Sequence, residues 1–461
     1  MLDDMLDYLE TINSRPVWQA IPSEVRANFQ QPLPQHSTDL KEVHQTFMRE
    51  VLPYSVGNAH PGFMGWVHGA GTPVGMLAEM LAAGLNANLG GREQMPVEVE
   101  RQVLQWVREL FQFPAAASGL FVTGTSMANL IAVWVARTKV LGTQVRKSGM
   151  AASELRLTAY TSAGAHGCLA QAMDLSGIGI DVLRVIPMND KFEMNISALQ
   201  DAISKDRHAG FTPFFIAATA GSVDVGAIDD LNALANVAEQ ENIWFHIDGA
   251  FGALAMLSPA LAPKLLGIER ADSIAFDFHK WGQVPYDAGF ILVRDGDLHL
   301  ATFAAPAAYL KRAERGMAAG SPWPCDFGPD LSRGFRALKT WFTIKVYGAE
   351  KIGESIANTC ALAQYLKQRI ETLPEFELLA PVTLNIVCFR FRCDDADRVN
   401  SEIVVALQES GVVAPSSTTI NGHTAIRAAI VNHRTTEKNI DDLLRETLAL
   451  GATLTQRNLN D

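Results

Sequence analysis

The stretch Ser273–Asp295 reads Ser-Ile-Ala-Phe-Asp-Phe-His-Lys-Trp-Gly-Gln-Val-Pro-Tyr-Asp-Ala-Gly-Phe-Ile-Leu-Val-Arg-Asp. Two apolar runs in it, Ser273–Phe276 and Gly289–Val293, are typical of short buried strands. Lys280 lies between them, and a lysine so close to two core strands must reach water or have a partner. An amine at such a site can lose its proton and attack a carbonyl. The stretch therefore predicts a chemically active lysine flanked by strands.

A carboxylate follows the preceding strand-like run. Ile243–Phe245 is apolar, and Asp248 comes just after it, 32 residues before Lys280 (280 − 248). Lysine captures the carbonyl of pyridoxal 5'-phosphate (PLP), and a carboxylate facing the pyridine nitrogen keeps that nitrogen protonated. Taken singly, an aspartate there is as often a helix cap, and a His-Lys pair is more often a surface feature. The two residues together favour a PLP site.

Composition narrows the class of protein. A chain of 461 residues predicts two or three packed units. The net charge of −12 argues against nucleic acid or an anionic membrane as a partner, and no apolar run reaches membrane-spanning length. The five cysteines show no metal-type spacing, and the acidic start Met1–Asp4 is unlike a signal peptide. We expect a cytoplasmic protein without a metal site.

The run Ser118–Ser126 is rich in small and hydroxyl residues and precedes a helical pattern at Met127–Lys139. It predicts a loop that opens a helix, where free backbone N–H groups and the helix dipole favour a phosphate. The phosphate of PLP is assigned to Thr125 and Ser126. Simple N-capping by either residue is the alternative.

Six short motifs resemble the PLP-dependent group II amino acid decarboxylases, the family of aromatic L-amino acid, glutamate and histidine decarboxylases. They follow the order of that family and span nearly the whole chain, and the aromatic L-amino acid decarboxylase branch is the most similar. The motifs are His60-Pro61, Thr123-Gly124-Thr125-Ser126, Ala165-His166, Asp248-Gly249-Ala250, His279-Lys280-Trp281 and Phe335-Arg336-Ala337-Leu338-Lys339.

The resemblance implies the α/β architecture of PLP-dependent fold type I. That fold has a large domain with a mostly parallel seven-stranded sheet and helices on both faces, a small C-terminal α/β domain, and a homodimer with shared active sites. The implied division is 1–85, a helical segment that wraps over the partner subunit, 86–345, the PLP-binding domain, and 346–461, the small domain. The alternation of strand and helix patterns by itself predicts only an α/β protein of two or more units.

The resemblance also implies roles for individual residues. Lys280 holds PLP, Asp248 faces the pyridine nitrogen, and His166 stacks on the ring and orients the substrate carboxylate; these three are the predicted catalytic residues. The predicted cofactor-binding residues are Lys280, Thr125, Ser126, His166, Ser222, Asp248, Ala250, Asp277 and His279. The predicted substrate-binding residues are Phe63, Trp66 and His68, for which a packed turn is an equally good interpretation.

The sequence departs from the aromatic decarboxylases at two places. Trp66-Val67-His68-Gly69 stands where they carry Tyr-Phe-Pro-Thr. The second place is the part of the long loop 303–330 that follows Lys311: no tyrosine lies between Lys311 and Phe335, where the aromatic decarboxylases carry a tyrosine thought to reprotonate the α-carbon. The favoured prediction is decarboxylation of an L-amino acid, preferably aromatic, to the amine and CO₂. The alternatives are a PLP-dependent aldehyde synthase or lyase, an aminotransferase, and a non-catalytic PLP-binding protein.

Overall fold

The structure is a computed structural model that describes residues 1–304 and 313–458. The chain forms two compact units, one of Val74–Asn358 and one of Met1–Pro73 together with Thr359–Asp461. Part of the predicted loop 303–330, including Pro306, Lys311 and Arg312, lies outside the described residues. The division at residues 85 and 345 stays a prediction.

The strands and helices alternate along most of the chain. The strands are β1 (Phe63–Met64), β2 (Ser118–Val122), β3 (Leu157–Ser162), β4 (Leu183–Ile186), β5 (Thr212–Thr219), β6 (Trp244–Asp248), β7 (Ser273–Asp277), β8 (Gly289–Val293), β9 (Phe376–Leu378), β10 (Ile386–Phe391), β11 (Ala414–Ile420) and β12 (His423–Ala429). The α-helices are α1 (Leu2–Glu10), α2 (Ser23–Asn28), α3 (Leu40–Thr46), α4 (Pro73–Leu85), α5 (Met95–Leu110), α6 (Thr125–Leu141), α7 (Val145–Ser148), α8 (Cys168–Leu175), α9 (Ile196–His208), α10 (Leu231–Glu241), α11 (Gly296–Phe303), α12 (Arg336–Thr372), α13 (Ala396–Ser410) and α14 (Glu437–Asn458).

The larger unit is built on a seven-stranded sheet with the order β2-β8-β7-β6-β5-β3-β4. Strand β8 is antiparallel to β2 and β7, and the other neighbouring strands are parallel. Successive side chains of a strand point to opposite faces. Every residue of β6, β7 and β8 is buried, so both faces of the sheet are covered. The predicted mostly parallel, seven-stranded sheet is confirmed.

The first half of the predicted loop at Ser118–Ser126 is in fact an edge strand. Ser118–Val122 is β2, which pairs with β8, and helix α6 begins at Thr125. Gly119 is small because it faces an aromatic ring: a Cβ atom there would lie 2.7 Å from Phe290 Cε1. The small residue that suggests a loop therefore serves the packing of the sheet.

The smaller unit has a five-stranded sheet with the order β1-β11-β12-β10-β9. Strand β1 pairs with β11 in parallel, which ties the N-terminal residues of this unit to its C-terminal ones. Before β11, helix α13 ends at Gly411, whose φ is 71°. The strand starts at Ala414 and continues through Ser416–Thr419, whose polar side chains lack a strand-like apolar pattern.

Candidate active site

Lys280 lies three residues beyond the end of β7 and is held by the last residue of that strand. Its Nζ atom is 2.9 Å from Asp277 Oδ2, and the lysine side chain is 22% exposed while that of Asp277 is 2% exposed. The expectation that the lysine needs a partner is met by this ion pair. The carboxylate holds the amine at the carboxyl edge of the sheet and is also a nearby acceptor for its proton.

His279 connects the lysine to the loop that follows. Its Nδ1 accepts the backbone N–H of Ala288 at 2.9 Å, and its ring contacts that of Tyr286 at a centroid distance of 4.3 Å. Burial lowers the pKa of His279, although the charge of Asp277 acts in the opposite direction. A neutral imidazole that accepts at Nδ1 carries its proton on Nε2, which lies 3.6 Å from Asp277 Oδ2.

The motif at the start of α12 fixes the same loop from the other side. Arg336 Nε donates to Asp287 Oδ1 at 2.8 Å, and Lys339 Nζ donates to the carbonyl oxygen of Tyr286 at 3.0 Å. Lys339 is buried and also pairs with Glu79. These contacts give the Phe335–Lys339 motif a physical function, since they hold the chain that follows Lys280.

Asp248 ends β6 and is bonded through both carboxylate oxygens. Oδ2 accepts from Asn129 Nδ2 at 2.9 Å, and Oδ1 accepts the backbone N–H of Ala250 at 3.1 Å. The thiol of Cys168 lies 3.7 Å from Oδ2. Burial first, and then the charge of Asp248, raises the pKa of this thiol to about 12, so it stays protonated at neutral pH.

The ends of β6 and β7 are directly adjacent. The two strands are parallel, Asp248 pairs with Ala275, and the N–H of Gly249 donates to the carbonyl of Ala275 at 2.9 Å. The N–H of Asp277 in turn donates to the carbonyl of Ala250 at 3.0 Å. The structure thus brings Asp248, Ala250, Asp277 and Lys280 to one edge of the sheet.

His166 follows β3 and is exposed. Its Nδ1 accepts the backbone N–H of Cys168 at 3.1 Å, and Cys168 links it to Asp248. With Nδ1 used as an acceptor, the neutral imidazole carries its proton on Nε2. His166 can therefore present an N–H donor at this edge.

The N-terminus of α6 reaches the same edge. Its N-cap is Gly124, which has no side chain to cap the helix; a Cβ atom there would lie 3.7 Å from His279 Cε1 and 3.8 Å from Asp277 Oδ1. Thr125 is buried and Ser126 is exposed. The start of α6 therefore lies beside the lysine loop, and the dipole of a helix N-terminus favours an anion.

Ser222 is placed differently from the other predicted cofactor contacts. Its hydroxyl accepts the backbone N–H of Ala227 at 3.1 Å, so it closes its own turn. Asp229 fixes the end of β5 by accepting the N–H of Thr219 at 2.7 Å. Burial raises the pKa of Asp229 to about 6. The cofactor contact of Ser222 stays a prediction.

Phe63, Trp66 and His68 lie together in the smaller unit. The His68 ring stacks on those of Phe63 and Trp66 at centroid distances of 5.8 and 5.6 Å. Phe63 is buried, His68 is half-buried, and Trp66 is 54% exposed with a φ of 40°. The three form a compact aromatic cluster, and their contact with substrate stays a prediction.

The comparison with known protein families identifies the family of this chain. The pyridoxal-dependent decarboxylase conserved domain matches residues 22–392. The chain belongs to the pyridoxal-dependent decarboxylase family. An aromatic-L-amino-acid decarboxylase of Bacillus atrophaeus is 31% identical over 97% of this chain and 93% of its own length. The phenylacetaldehyde synthase of Arabidopsis thaliana is 30% identical, over 96% and 92%.

Solved structures of this family have the same fold. The Oryza sativa TDC with PLP and tryptamine superimposes with a TM-score of 0.90 at 24% identity, covering 98% of this chain and 96% of its own. The Catharanthus roseus tryptophan decarboxylase in complex with L-tryptophan gives 0.87 at 23%, covering 98% and 97%. The predicted PLP-dependent fold is confirmed. This decarboxylase is a PLP-dependent carboxy-lyase.

The residues at the sheet edge fit the cofactor of the decarboxylase family. Among residues 1–304 and 313–458, three buried oxygens have no hydrogen-bond partner in the protein and belong to this edge: Thr125 Oγ1, Thr219 Oγ1 and Asp277 Oδ1. Buried polar atoms are nearly always paired, so this cluster calls for a polar ligand. A lysine, a carboxylate and an open helix N-terminus supply what the aldehyde, ring nitrogen and phosphate of PLP each need. In the described ranges, no group of three His, Cys, Asp or Glu side chains is arranged to hold a metal ion.

Sequence reasoning missed three residues that the structure brings to the decarboxylase site. Asn129 contacts Asp248 from one turn inside α6, and its spacing of four from Thr125 is the helical period that could have revealed it. His246 lies two residues before Asp248, and alternate residues of a strand share a face. Thr219, the last residue of β5, gave no signal beyond its place at a strand end.

Proposed function

We propose that this decarboxylase converts an aromatic L-amino acid to its amine and CO₂. The observation that carries the proposal is the ion pair of Lys280 with Asp277 beside the hydrogen-bonded carboxylate of Asp248, at the ends of neighbouring parallel strands. The preference for an aromatic substrate rests on the printed functions of the relatives, including the Bacillus atrophaeus enzyme.

When bound, PLP supplies an electron sink for the bond between the α-carbon and the carboxylate. Lys280 Nζ is the proposed attachment point for its aldehyde. Asp277 Oδ2, at 2.9 Å, would hold this nitrogen in place at the edge of the sheet. Thr125 and Ser126 bind the phosphate, while Ala250, His279 and Ser222 complete the proposed cofactor contacts.

The proposed roles of Asp248 and His166 depend on which atoms hold protons. Asp248 is bonded as an acceptor on both oxygens, and an acceptor carboxylate keeps the pyridine nitrogen protonated. His166 holds its proton on Nε2, because Nδ1 accepts the N–H of Cys168. That N–H would orient the substrate carboxylate, and the ring of His166 would stack on the cofactor. Orientation of this kind lowers the barrier by holding the breaking bond in line with the electron sink.

An aldehyde synthase is the second candidate function. The observation in its favour is the absence of tyrosine from the sequence between Lys311 and Phe335, together with the 30% identity to a phenylacetaldehyde synthase. If no tyrosine in this segment returns a proton to the α-carbon, oxygen would become a competing reactant.

Product analysis separates the two functions. PLP-loaded protein is incubated in air with a panel of L-amino acids, and amines, aldehydes, ammonia and CO₂ are quantified by mass spectrometry. The proposal predicts equal amounts of amine and CO₂ from one or a few aromatic substrates, with no oxygen consumed. Aldehyde and ammonia with oxygen uptake would establish the second function, and no product from any aromatic amino acid would overturn both.

The aromatic cluster is the proposed substrate-recognition element. Phe63, Trp66 and His68 stack on one another, and the exposed ring of Trp66 offers a face for an aromatic side chain. Aromatic pairs add energy beyond the area that they bury.

A homodimer is proposed as the working form. Leu77, Leu81 and Leu85 are exposed and recur every four residues, which makes one apolar face of α4. Such a face is unfavourable in water unless a partner covers it. Light scattering should give twice the chain mass of 50.1 kDa, and Leu81→Glu with Leu85→Glu should give the single mass. A wild-type monomer would contradict the dimer and, with it, the wrapping role of residues 1–85.

A cytoplasmic location is proposed because the five cysteines are scattered along the sequence and odd in number. Among residues 1–304 and 313–458, no helix is long and apolar enough to cross a membrane. Recovery in a membrane or exported fraction after cell disruption would contradict the location.

A further inference from the structure

A continuous chain of hydrogen bonds runs through the core of the larger unit and ends on Asp248. Trp244 Nε1 lies 2.8 Å from Ser273 Oγ, which lies 2.8 Å from His246 Nδ1. His246 Nε2 lies 2.8 Å from Asn129 Oδ1. Asn129 Nδ2 lies 2.9 Å from Asp248 Oδ2. Four hydrogen bonds therefore connect an indole to the carboxylate assigned to the pyridine nitrogen.

The two ends of the chain fix the direction of every bond in it. The indole of Trp244 can only donate, and an ionised carboxylate can only accept. Ser273 therefore accepts from Trp244 and donates to His246 Nδ1. His246 then donates from Nε2 to Asn129, which donates its amide N–H to Asp248. Every group in the chain therefore donates its hydrogen bond in the direction of the carboxylate. Hydrogen bonds aligned in this way polarise one another.

The opposite orientation of Asn129 is unfavourable. A flipped amide would turn its oxygen towards Asp248 Oδ2, so two acceptors would face each other. His246 would then have to donate from Nδ1 to Ser273, which already accepts from Trp244, and the serine hydroxyl would lose its acceptor. The network thus has one arrangement in which all of its donors are used.

The chain is sealed from water. Asn129, His246 and Ser273 are 0% exposed, and Trp244 and Asp248 are 2% and 4% exposed. Phe215 stacks on the His246 ring at a centroid distance of 5.3 Å. Burial lowers the pKa of His246 to about 3, in keeping with the neutral form that the network requires. A hydrogen bond in such surroundings is stronger than one in contact with water, and an unpaired member is costly.

A second buried histidine in the same unit provides a comparison. His299 is also 0% exposed, and its Nδ1 lies 2.8 Å from Ser118 Oγ. Its other ring nitrogen has no hydrogen-bond partner among residues 1–304 and 313–458. His299 is hydrogen-bonded to one serine, whereas His246 is also hydrogen-bonded to Asn129 and, through it, connected to Asp248. The two therefore share burial and a serine partner but not the connection to Asp248.

We propose that Trp244, Ser273, His246 and Asn129 act as positioning residues that keep the Asp248 carboxylate oriented as an acceptor for the pyridine nitrogen of PLP. The inference rests on the proposed role of Asp248 and goes beyond it, because none of the four residues contacts the cofactor nitrogen in this account. Loss of one link weakens the last hydrogen bond, so the carboxylate holds the cofactor less firmly.

The test compares His246→Leu with His299→Leu in the holoenzyme. The first readout needs no substrate: the rate of PLP release into PLP-free buffer, followed by the visible absorbance of the cofactor. The second readout is kcat and KM. We expect His246→Leu to release PLP roughly 10-fold faster and to lose roughly 10-fold in kcat, the size expected for weakening a hydrogen bond to a charged group, with KM nearly unchanged.

His246→Gln is the conservative variant. The glutamine amide can donate to Asn129 as the imidazole does, so this variant should recover most of the slow release. His299→Leu should release PLP at the wild-type rate even if it unfolds more easily. Equal release rates for His246→Leu and His299→Leu would overturn the proposal, as would a His246→Gln variant no better than His246→Leu.

If His246→Leu does not fold, Ser273→Ala and Trp244→Phe test the outer links. Each should speed PLP release by a smaller, measurable factor of roughly 2 to 5, because a neutral hydrogen bond is lost further from the carboxylate. If both variants release PLP at the wild-type rate, the proposed role of this hydrogen-bonded chain is overturned. Failure of the proposed function is distinguishable, since it would appear in the products formed by the wild type, whereas the rate of PLP release is measured without substrate.

Discussion

The edge of the large sheet and the aromatic cluster of the smaller unit differ in the kind of contact that holds their side chains in place. Asp248 and Asp277, at the ends of the neighbouring strands β6 and β7, are buried. Asp248 accepts a hydrogen bond from Asn129, and Asp277 forms an ion pair with Lys280. In the cluster, Trp66 is 54% exposed and its ring contacts those of Phe63 and His68. A site fixed by buried polar contacts should respond sharply to single changes, whereas a stacked, exposed surface should respond gradually.

The largest effect is expected at Lys280. Lys280→Ala should abolish turnover and leave no PLP covalently retained, because the amine that captures the aldehyde is gone. Lys264→Ala, at an exposed lysine of the same unit, is the matched control and should behave as wild type. The measurements are turnover and intact-protein mass. A folded Lys280→Ala protein with normal activity would contradict the assignment of the active site to this edge of the sheet.

Asp248→Asn should come next. The amide cannot hold a proton on the pyridine nitrogen as a carboxylate does, so kcat should fall by roughly 100-fold or more, as for loss of a preorganised electrostatic contact. The cofactor absorbance and kcat measure this, with circular dichroism to verify the fold. A change in KM alone would indicate that Asp248 acts on substrate binding rather than on the cofactor.

A smaller and different effect is expected in the cluster. Trp66→Ala should raise KM for an aromatic substrate by roughly 10-fold while kcat changes little, the size expected from an apolar contact. Phe29→Ala removes an exposed aromatic ring elsewhere in the same unit and should leave KM unchanged. If Trp66→Ala instead lowers kcat with KM constant, the contrast between the two regions fails.

The smallest effect concerns a buried residue that the catalytic proposal does not use. Burial lowers the pKa of His299 from 6.5 to about 3. The unfolded chain therefore binds a proton below pH 6.5 that the folded chain does not, so the stability of the neutral form is complete above pH 6.5 and is lost as the pH falls towards 3. His299→Leu should flatten the fall in unfolding free energy between pH 6.5 and 5 by about 1.4 kcal/mol per pH unit. Denaturant unfolding at each pH measures how the unfolding free energy changes with pH. The same pH dependence in wild type and His299→Leu would contradict this prediction.

The sequence was most informative where local pattern and local structure coincide. Strand β8 matches the apolar run Gly289–Val293, and β7 extends the run Ser273–Phe276 by one residue. Placement of Lys280 and Asp248 beside strands follows from the same apolar runs. These features depend on neighbours within one or two turns of chain, which a sequence displays directly.

Features that depend on distant partners were not predictable in this way. The contact between Asn129 and His246 joins residues 117 apart in sequence, and no local pattern around either residue predicts the other as its partner. The pairing of β1 with β11, which ties the start of the smaller unit to its end, needs the three-dimensional register. Strand β2 was hidden because Gly119 is required by the ring of Phe290 rather than by a turn.

The most direct test of the central claim is release of labelled CO₂ from carboxyl-labelled aromatic L-amino acids by wild type, Lys280→Ala and Lys264→Ala. The account predicts that wild type and Lys264→Ala release CO₂ in equal amount to the amine formed, and that Lys280→Ala releases none. Release of CO₂ by folded Lys280→Ala, or a wild type that consumes these substrates without releasing CO₂, would contradict it.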